Sequence, residues 1–296
     1  MRSLSLAAGL ALALPLAAQQ PAPRPLQLHF TTAGVYESNL ERDEAPRPAV
    51  GGILALGVDL TERRRHPHFR ISYEAALHRY SVPTRYQRTS HWASVLTLLR
   101  PAGGVSLETE AGLRLRGGAE DRDLNDEYAL AEELEVRLAR ATAVRLTGTL
   151  RAKRPGPGLS PGRQAVARGL GVEVRQRLEA GGRFTLGARV EQNEADSARY
   201  RYARTTWEFG LESAPGRWQQ VELEVAFRDQ RYRSRRVDDR QALRHDYRLT
   251  PGLAWRVRPW SGFEMRLAYE YEHRSSNDPE AEYAAHQLGL SLTQTW

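Results

Sequence analysis

The most restrictive feature of the sequence is a period of two. In the C-terminal stretch HQLGLSLTQTW, Leu288, Leu290, Leu292 and Trp296 share one parity, and Gly289, Ser291, Thr293 and Thr295 the other. A β-strand sends alternate side chains to opposite faces, so this pattern describes a strand with one apolar and one polar face. The alternation recurs in Leu26–Tyr36, Phe69–Leu77, Val105–Leu115, Tyr128–Leu138, Val144–Arg151, Leu170–Leu178, Phe184–Gln192, Val221–Arg228 and Phe263–Tyr271. It is weaker in Val50–Leu60, Trp92–Leu98, Trp207–Leu211 and Tyr247–Val257. With the C-terminal stretch there are about fourteen such segments, within a range of 12–16, and bacterial barrels use even strand numbers.

Segment length separates two all-β architectures. Tilted strands that cross a bilayer need about 9–11 residues, whereas strands of soluble proteins average about 5–6. The segments here match the longer class. Mean hydropathy is −0.59, and beyond the N-terminus no apolar run approaches the ~18 residues of a membrane helix. A membrane-spanning form of this chain is therefore an antiparallel up-and-down β-barrel, in which every second residue faces the lumen.

The connections alternate in length. RPAGG, ARAT, EAGGR, SAPGR and RPWSG are short, whereas ESNLERDEAPRP, GGAEDRDLND, RPGPGLSPGR, NEADSARYRYAR and HRSSNDPEAE are long and charged. Short turns at one end and longer loops at the other place both termini on a periplasmic side. Aromatic residues sort to the strand ends, which predicts two interface girdles containing Tyr36, Trp92, Tyr128 and Trp207 at the loop end and Trp218, Phe263 and Trp296 at the turn end. Tyr80 and Tyr283 fall at loop-end positions as well. Pro251 lacks a ladder donor, so a bulge or a late strand start is expected in DYRLTPGLAWRV.

The first eighteen residues combine Arg2, the apolar stretch Leu4–Leu16 and a small-residue exit at Ala17–Ala18. That layout is a secretory signal peptide, followed by a short lead over 19–25 and the barrel over 26–296. With no cysteine in 296 residues, an exported chain does not depend on disulfides. The net charge of +7 raises nucleic acid as a partner, but the arginines alternate with Leu and Val along strands rather than clustering, and an export signal argues against it.

If Leu and Val face lipid, the opposite parity lines a lumen. That set contains Arg145, Arg151, Arg175, Arg177, Arg189, Arg248 and Arg256 among the cations and Glu173, Glu191, Glu222 and Glu224 among the anions. The first five arginines form a prospective positive stripe, with Glu222, Glu224 and Glu212 farther round. Two interiors remain open on this evidence: a polar pore, or a wall closed by cross-strand salt bridges.

The strand pattern, with Tyr36-Glu37-Ser38-Asn39 leaving the first strand and Arg274-Ser275-Ser276-Asn277 leaving the penultimate one, resembles the bacterial outer-membrane β-barrel porins. It also resembles the barrel part of the surface lipoprotein assembly modifiers, a family in which helical repeats precede the barrel; the 25 residues ahead of the first segment here leave no room for them, so a lipoprotein-translocating role is not expected. The terminal strand ending on Trp296 is similar to the signal read by the outer-membrane assembly machinery, with Gln294 at a position that is usually apolar. The resemblance implies an outer-membrane location, contact with lipid and lipopolysaccharide, and a passive pore or secretion conduit for a polar or charged solute or polymer. A structural or adhesive barrel presenting its loops is the alternative.

Bond-making motifs are weak. Gly158-Leu159-Ser160-Pro161-Gly162 has the letters of a nucleophile elbow, but Pro161 has no N–H for the oxyanion. Asp121, Asp123, Asn125 and Glu132 echo a calcium loop, with Asp126 where glycine should turn the chain. Ser90–His91 and His245–Asp246 are the only candidate catalytic pairs. The expectation is no enzyme activity, no cofactor and no metal site. The basic stretch Arg231–Arg240 is expected to be a loop suited to lipopolysaccharide phosphates.

Overall fold

Each alternating segment becomes a strand. The computed structural model describes residues 25–40, 46–62, 67–81, 88–118, 125–155, 164–179, 181–237 and 242–296. The signal segment, the Ser160 loop, and Asp121 and Asp123 lie outside the described residues. In chain order the strands are β1 (Leu26–Glu37), β2 (Ala49–Glu62), β3 (His68–Tyr80), β4 (Arg88–Ala102), β5 (Val105–Gly118), β6 (Asn125–Arg137) and β7 (Thr142–Pro155). They continue as β8 (Ala165–Arg177), β9 (Arg183–Ala195), β10 (Tyr202–Gly216), β11 (Gln219–Arg236), β12 (Leu243–Val257), β13 (Phe263–Ser276) and β14 (Tyr283–Thr295).

Neighbours in sequence pair antiparallel, and β14 returns to β1 to close a fourteen-stranded barrel. The closing register runs from His29 opposite Thr295 to Glu37 opposite Gln287. It is finished by the Trp296 amide donating to the Leu28 carbonyl at 2.9 Å and the Leu28 amide donating back at 3.3 Å. Connections at the end holding Trp296 are tight, as at Gly103–Gly104, where Gly104 takes a left-handed φ of 82° that its missing Cβ permits. Those at the other end are longer.

The strands run from 12 residues in β1 to 18 in β11, beyond the expected 9–11. Although β4 and β10 also run on into their short turns, to Ala102 and Gly216, most of the surplus lies at the long-loop end. There β11 continues through Arg236, so Arg231–Arg236 is strand rather than loop. Cross-strand partners sustain it, among them Arg233 with Glu194 at 2.6 Å.

Pro251 produces neither a bulge nor a late start. β12 runs through it, opposite Val225 of β11. Only the ladder to β13 lapses, between the pairs Leu249–His273 and Gly252–Glu270, with the register unchanged. A proline removes one donor, and one neighbouring strand suffices to hold the chain straight.

Leu28, Leu54, Ile71, Leu130, Leu170, Leu223, Leu253 and Leu290 are exposed on the outer wall, while the charged parity points inward. The outward aromatic band holds Tyr36, Tyr128, Trp207, Trp218 and Trp296, all exposed, with Phe263 stacked on Trp260 at 4.5 Å. Trp92 does not join it. Trp92 opposes Glu74 and Arg114, both inward, and its ring covers Gly112, where a Cβ would sit 2.3 Å from it. Tyr80 covers Gly51 in the same way, and Tyr283 is buried beside Glu272. Position near a strand end predicted the girdle for these three, but parity sent them inside, where a bare glycine or a carboxylate accepts the ring.

A side chain at Gly112 collides with Trp92, whereas nothing lies within 4 Å of a Cβ at Gly34. In denaturant titrations of the refolded barrel, Gly112→Val is expected to lower stability by about 1–3 kcal/mol. Gly34→Val is expected to leave it unchanged or raised.

Candidate functional site

The interior wall is the site, and register decides what each part of it can do. All eleven residues expected to line a lumen stand on the inward parity, but they do not act alike. Around β6 to β9 opposite charges interlock. Arg145 Nε lies 2.7 Å from Glu133 and its Nη2 3.6 Å from Glu135. Arg175 reaches Glu135 at 3.1 Å and also pairs with Glu173. Arg151 pairs with Glu191, and Arg189 donates to Thr149 Oγ1 at 3.1 Å. Within the expected positive stripe Arg145, Arg151 and Arg175 are thus neutralised by glutamates, as by Glu173 opposite Arg145, while Arg189 has no ion pair among the described residues. Arg177 is the exposed exception, at the short-turn end.

A second arginine row was not singled out by the sequence. Arg228, Arg248 and Arg274 stand directly opposite one another on β11, β12 and β13. Like charges in opposed positions repel. Arg248 is offset by Glu272 at 3.3 Å and Arg274 by Asp246. Arg228 makes no ion pair or hydrogen bond among the described residues, and its Nε is a buried donor without a partner. A recess of about 240 Å³ opens at this row, walled by Arg204, Arg228, Arg248 and Arg274 together with Tyr202 and the carboxylate of Asp246. Sequence could have found it only through register, because the three arginines lie in three different segments.

Toward the short-turn end the sign reverses. Glu173, Glu208, Glu224 and Glu270 line a chamber of about 330 Å³, whose wall is thinned by Gly187, Gly210 and Gly252. Glu222, Glu224 and Glu270 reach a second of about 250 Å³, which Arg266 also lines. Glu222 is held by Arg256 at 3.1 Å, and Arg256 also meets Glu264 at 3.3 Å. Glu208 and Glu224 have no ion pair among the described residues.

Toward the long-loop end the interior tightens. Glu191, Arg244, Asp246 and Glu272 are all at or below 6 % exposed. Tyr202 Oη donates to Glu191 at 3.1 Å, Arg204 reaches Glu191 at 3.3 Å, and Arg244 joins Asp246 and Asp278 at 2.9 Å each. Asn39, from the YESN stretch, is 1 % exposed and donates to the Ala284 carbonyl at 3.3 Å.

The two candidate catalytic pairs come apart by parity. His91 points outward to Tyr73 Oη at 2.8 Å, while Ser90 opposes Arg116 on the inside. His245 faces outward to Asp229 at 2.7 Å, while Asp246 faces inward. Adjacent strand residues cannot share a face. No cluster of three or more metal-ligating side chains occurs among the described residues. The wall has the chemistry to attract and pair with ions.

No protein-family profile matches the sequence, and no curated protein sequence matches it. Solved structures do. The in-vitro folded trimer form of OmpT, an outer membrane protein of Vibrio cholerae, superposes with a TM-score of 0.57 at 9% identity, over 92% of this chain and 99% of that one. An anion-selective porin from Comamonas acidovorans gives 0.55 at 8% identity over 92% and 98%. A bacterial polysaccharide outer membrane secretin gives 0.53 at 8% identity over 91% and 98%. At such identities the likeness is one of fold: the chain has the fold of the bacterial outer-membrane β-barrels.

Proposed function

We propose that the protein is a passive outer-membrane pore for small anionic solutes, with no bond-making chemistry of its own. In this reading residues 1–18 are a cleaved export signal, and the assembly machinery inserts the barrel with its short turns in the periplasm. The outer wall then meets lipid and lipopolysaccharide. The observation that carries the reading is Arg228, an inward guanidinium at one end of an opposed arginine row, with no ion pair or hydrogen bond among the described residues. A row of like charge across adjacent strands costs stability, and a wall serving only as a sealed interior has no use for it. An anion passing the row supplies the missing countercharge, and the carboxylates nearer the short-turn end weaken its hold there, so that it can leave again. The fold shared with an anion-selective porin supports the same direction.

The tight network at the long-loop end favours small solutes over a polymer. A sealed, structural barrel is the competing reading, favoured by the interlocked pairs of β6 to β9. Current decides between them. In a planar bilayer with a potassium chloride gradient, the wild-type reversal potential is expected to report chloride preference, and Arg228→Glu to move it toward potassium. Silence from protein whose gel band is still heat-modifiable would contradict the pore.

Glu191 binds Arg151, Arg204 and Tyr202 at once. Removing its charge leaves two half-buried cations without their buried anion, so Glu191→Gln is expected to cost about 1–3 kcal/mol in denaturant titration. Glu224→Gln, without an ion-pair partner to strand, is expected to change stability by less than ~0.5 kcal/mol.

A further inference from the structure

The outer wall is not uniformly apolar. From β6 to β11 one outward row reads Leu130, Leu150, Arg168, Gln192, Ala203 and Arg231, each opposite the next. A depression of about 1000 Å³ runs along it. It is hollow because Gly148, Ala203 and Thr205 present little side chain between Leu170, Val190 and Trp207, which also line it.

Arg168 is exposed there and makes no ion pair or hydrogen bond among the described residues. An arginine on a lipid-facing strand costs about 2–4 kcal/mol at the bilayer midplane, falling to about 0–1 at the interface. Its height resolves the cost. Arg168 stands ten residues from Leu178, where the short turn after β8 begins. A tilted strand climbs roughly 2.5 Å per residue, so the guanidinium stands at the outer edge of an apolar band about 25 Å tall. Trp207, tilted against Phe227 at 5.5 Å, lies below that row: through Ala188 it is level with Val172, four residues nearer the short turn, so an interfacial aromatic stands beneath the guanidinium.

Arg231 lies three strands away on the same row, about 14 Å at the usual strand spacing. It spends part of its fork on Asp229, at 3.1 and 3.4 Å, and its side chain stays 70% exposed. Asp229 is also tied to His245 at 2.7 Å, and the Glu132 carboxylate, deeper in the depression, accepts from Thr109 at 2.8 Å. Both carboxylates are committed, which leaves the two guanidiniums facing outward.

We infer that this depression seats a phosphorylated glycolipid of the outer leaflet. One phosphate meets Arg168 and a second meets Arg231, each by the forked geometry that guanidinium and phosphate share. Gln192 between them faces the sugar, and the acyl chains lie on Leu170, Val190 and Trp207. The separation of the arginines suits a disaccharide carrying a phosphate at each end. A free anion would leave the apolar floor uncovered. This rests on the membrane-barrel reading but not on conduction.

The test is native mass spectrometry of the full refolded barrel in detergent, titrated with bisphosphorylated lipid A, the same lipid dephosphorylated, and inorganic phosphate. One bisphosphorylated lipid is expected to remain bound. Losing one charge-assisted contact weakens binding about tenfold or more, so Arg168→Gln and Arg231→Gln should each show that loss, and Arg168→Lys a smaller one. Arg79→Gln, on β3, should bind as wild type. The dephosphorylated lipid should bind more weakly than the bisphosphorylated form by at least the factor lost in one variant. Equal binding of the two lipids, or wild-type binding by the double Arg168→Gln/Arg231→Gln variant, would overturn the inference. Full displacement of the lipid by millimolar inorganic phosphate would also overturn it, because the site would then be one for free anions. A heat-modifiable gel band for each variant separates loss of the site from loss of the barrel.

Discussion

A backbone surrounded by hydrocarbon has no water to satisfy its N–H and C=O groups, and an open sheet edge there costs several kcal/mol per unmade bond. Everything in this structure depends on meeting that constraint through the junction of β1 and β14. Their pairing from His29 with Thr295 to Glu37 with Gln287 removes the last two edges. Trp296 and Leu28 complete it by exchanging amide and carbonyl. Once the sheet is closed, the period of two in the sequence acquires an inside and an outside. The same arginine content that reads as a nucleic-acid signature in a soluble protein becomes a lumen wall.

Closure also explains the division of labour within that wall. Charges held against opposite charges, as Arg145 is between Glu133 and Glu135, brace the sheet with little left over for a solute. Where the register sets Arg228, Arg248 and Arg274 in a row, carboxylates offset Arg248 and Arg274, and Arg228 has no ion pair among the described residues. Bracing pairs reach these strands too, in Arg248 with Glu272 and Arg256 with Glu222, which leaves Arg228 as the cation of this row that braces nothing among the described residues.

The fold was legible because parity is local: Leu288, Leu290 and Leu292 announce their face without reference to any partner strand. Strand number followed from counting such runs. The girdle was only partly legible. Trp207 and Tyr128 obey the rule that rings collect at interfaces, but Trp92 obeys a cross-strand fit to Gly112 that lies twenty residues away. The arginine row was illegible for a related reason, since opposition across strands depends on turn lengths and register rather than on composition. Arg168 escaped attention because a single cation in an otherwise apolar parity looks like noise until its height on the wall is known.

The most direct test of the account is solvent accessibility along β11, which the absence of native cysteine makes clean. Single cysteines at Glu222, Leu223, Glu224, Val225, Phe227 and Arg228 would be reacted in liposomes with a small water-soluble thiol reagent. A hydrated lumen and a lipid-facing wall predict modification at 222, 224 and 228 and protection at 223, 225 and 227. Uniform protection would mean a dry, sealed interior, and modification without the period of two would mean that β11 is not a membrane strand.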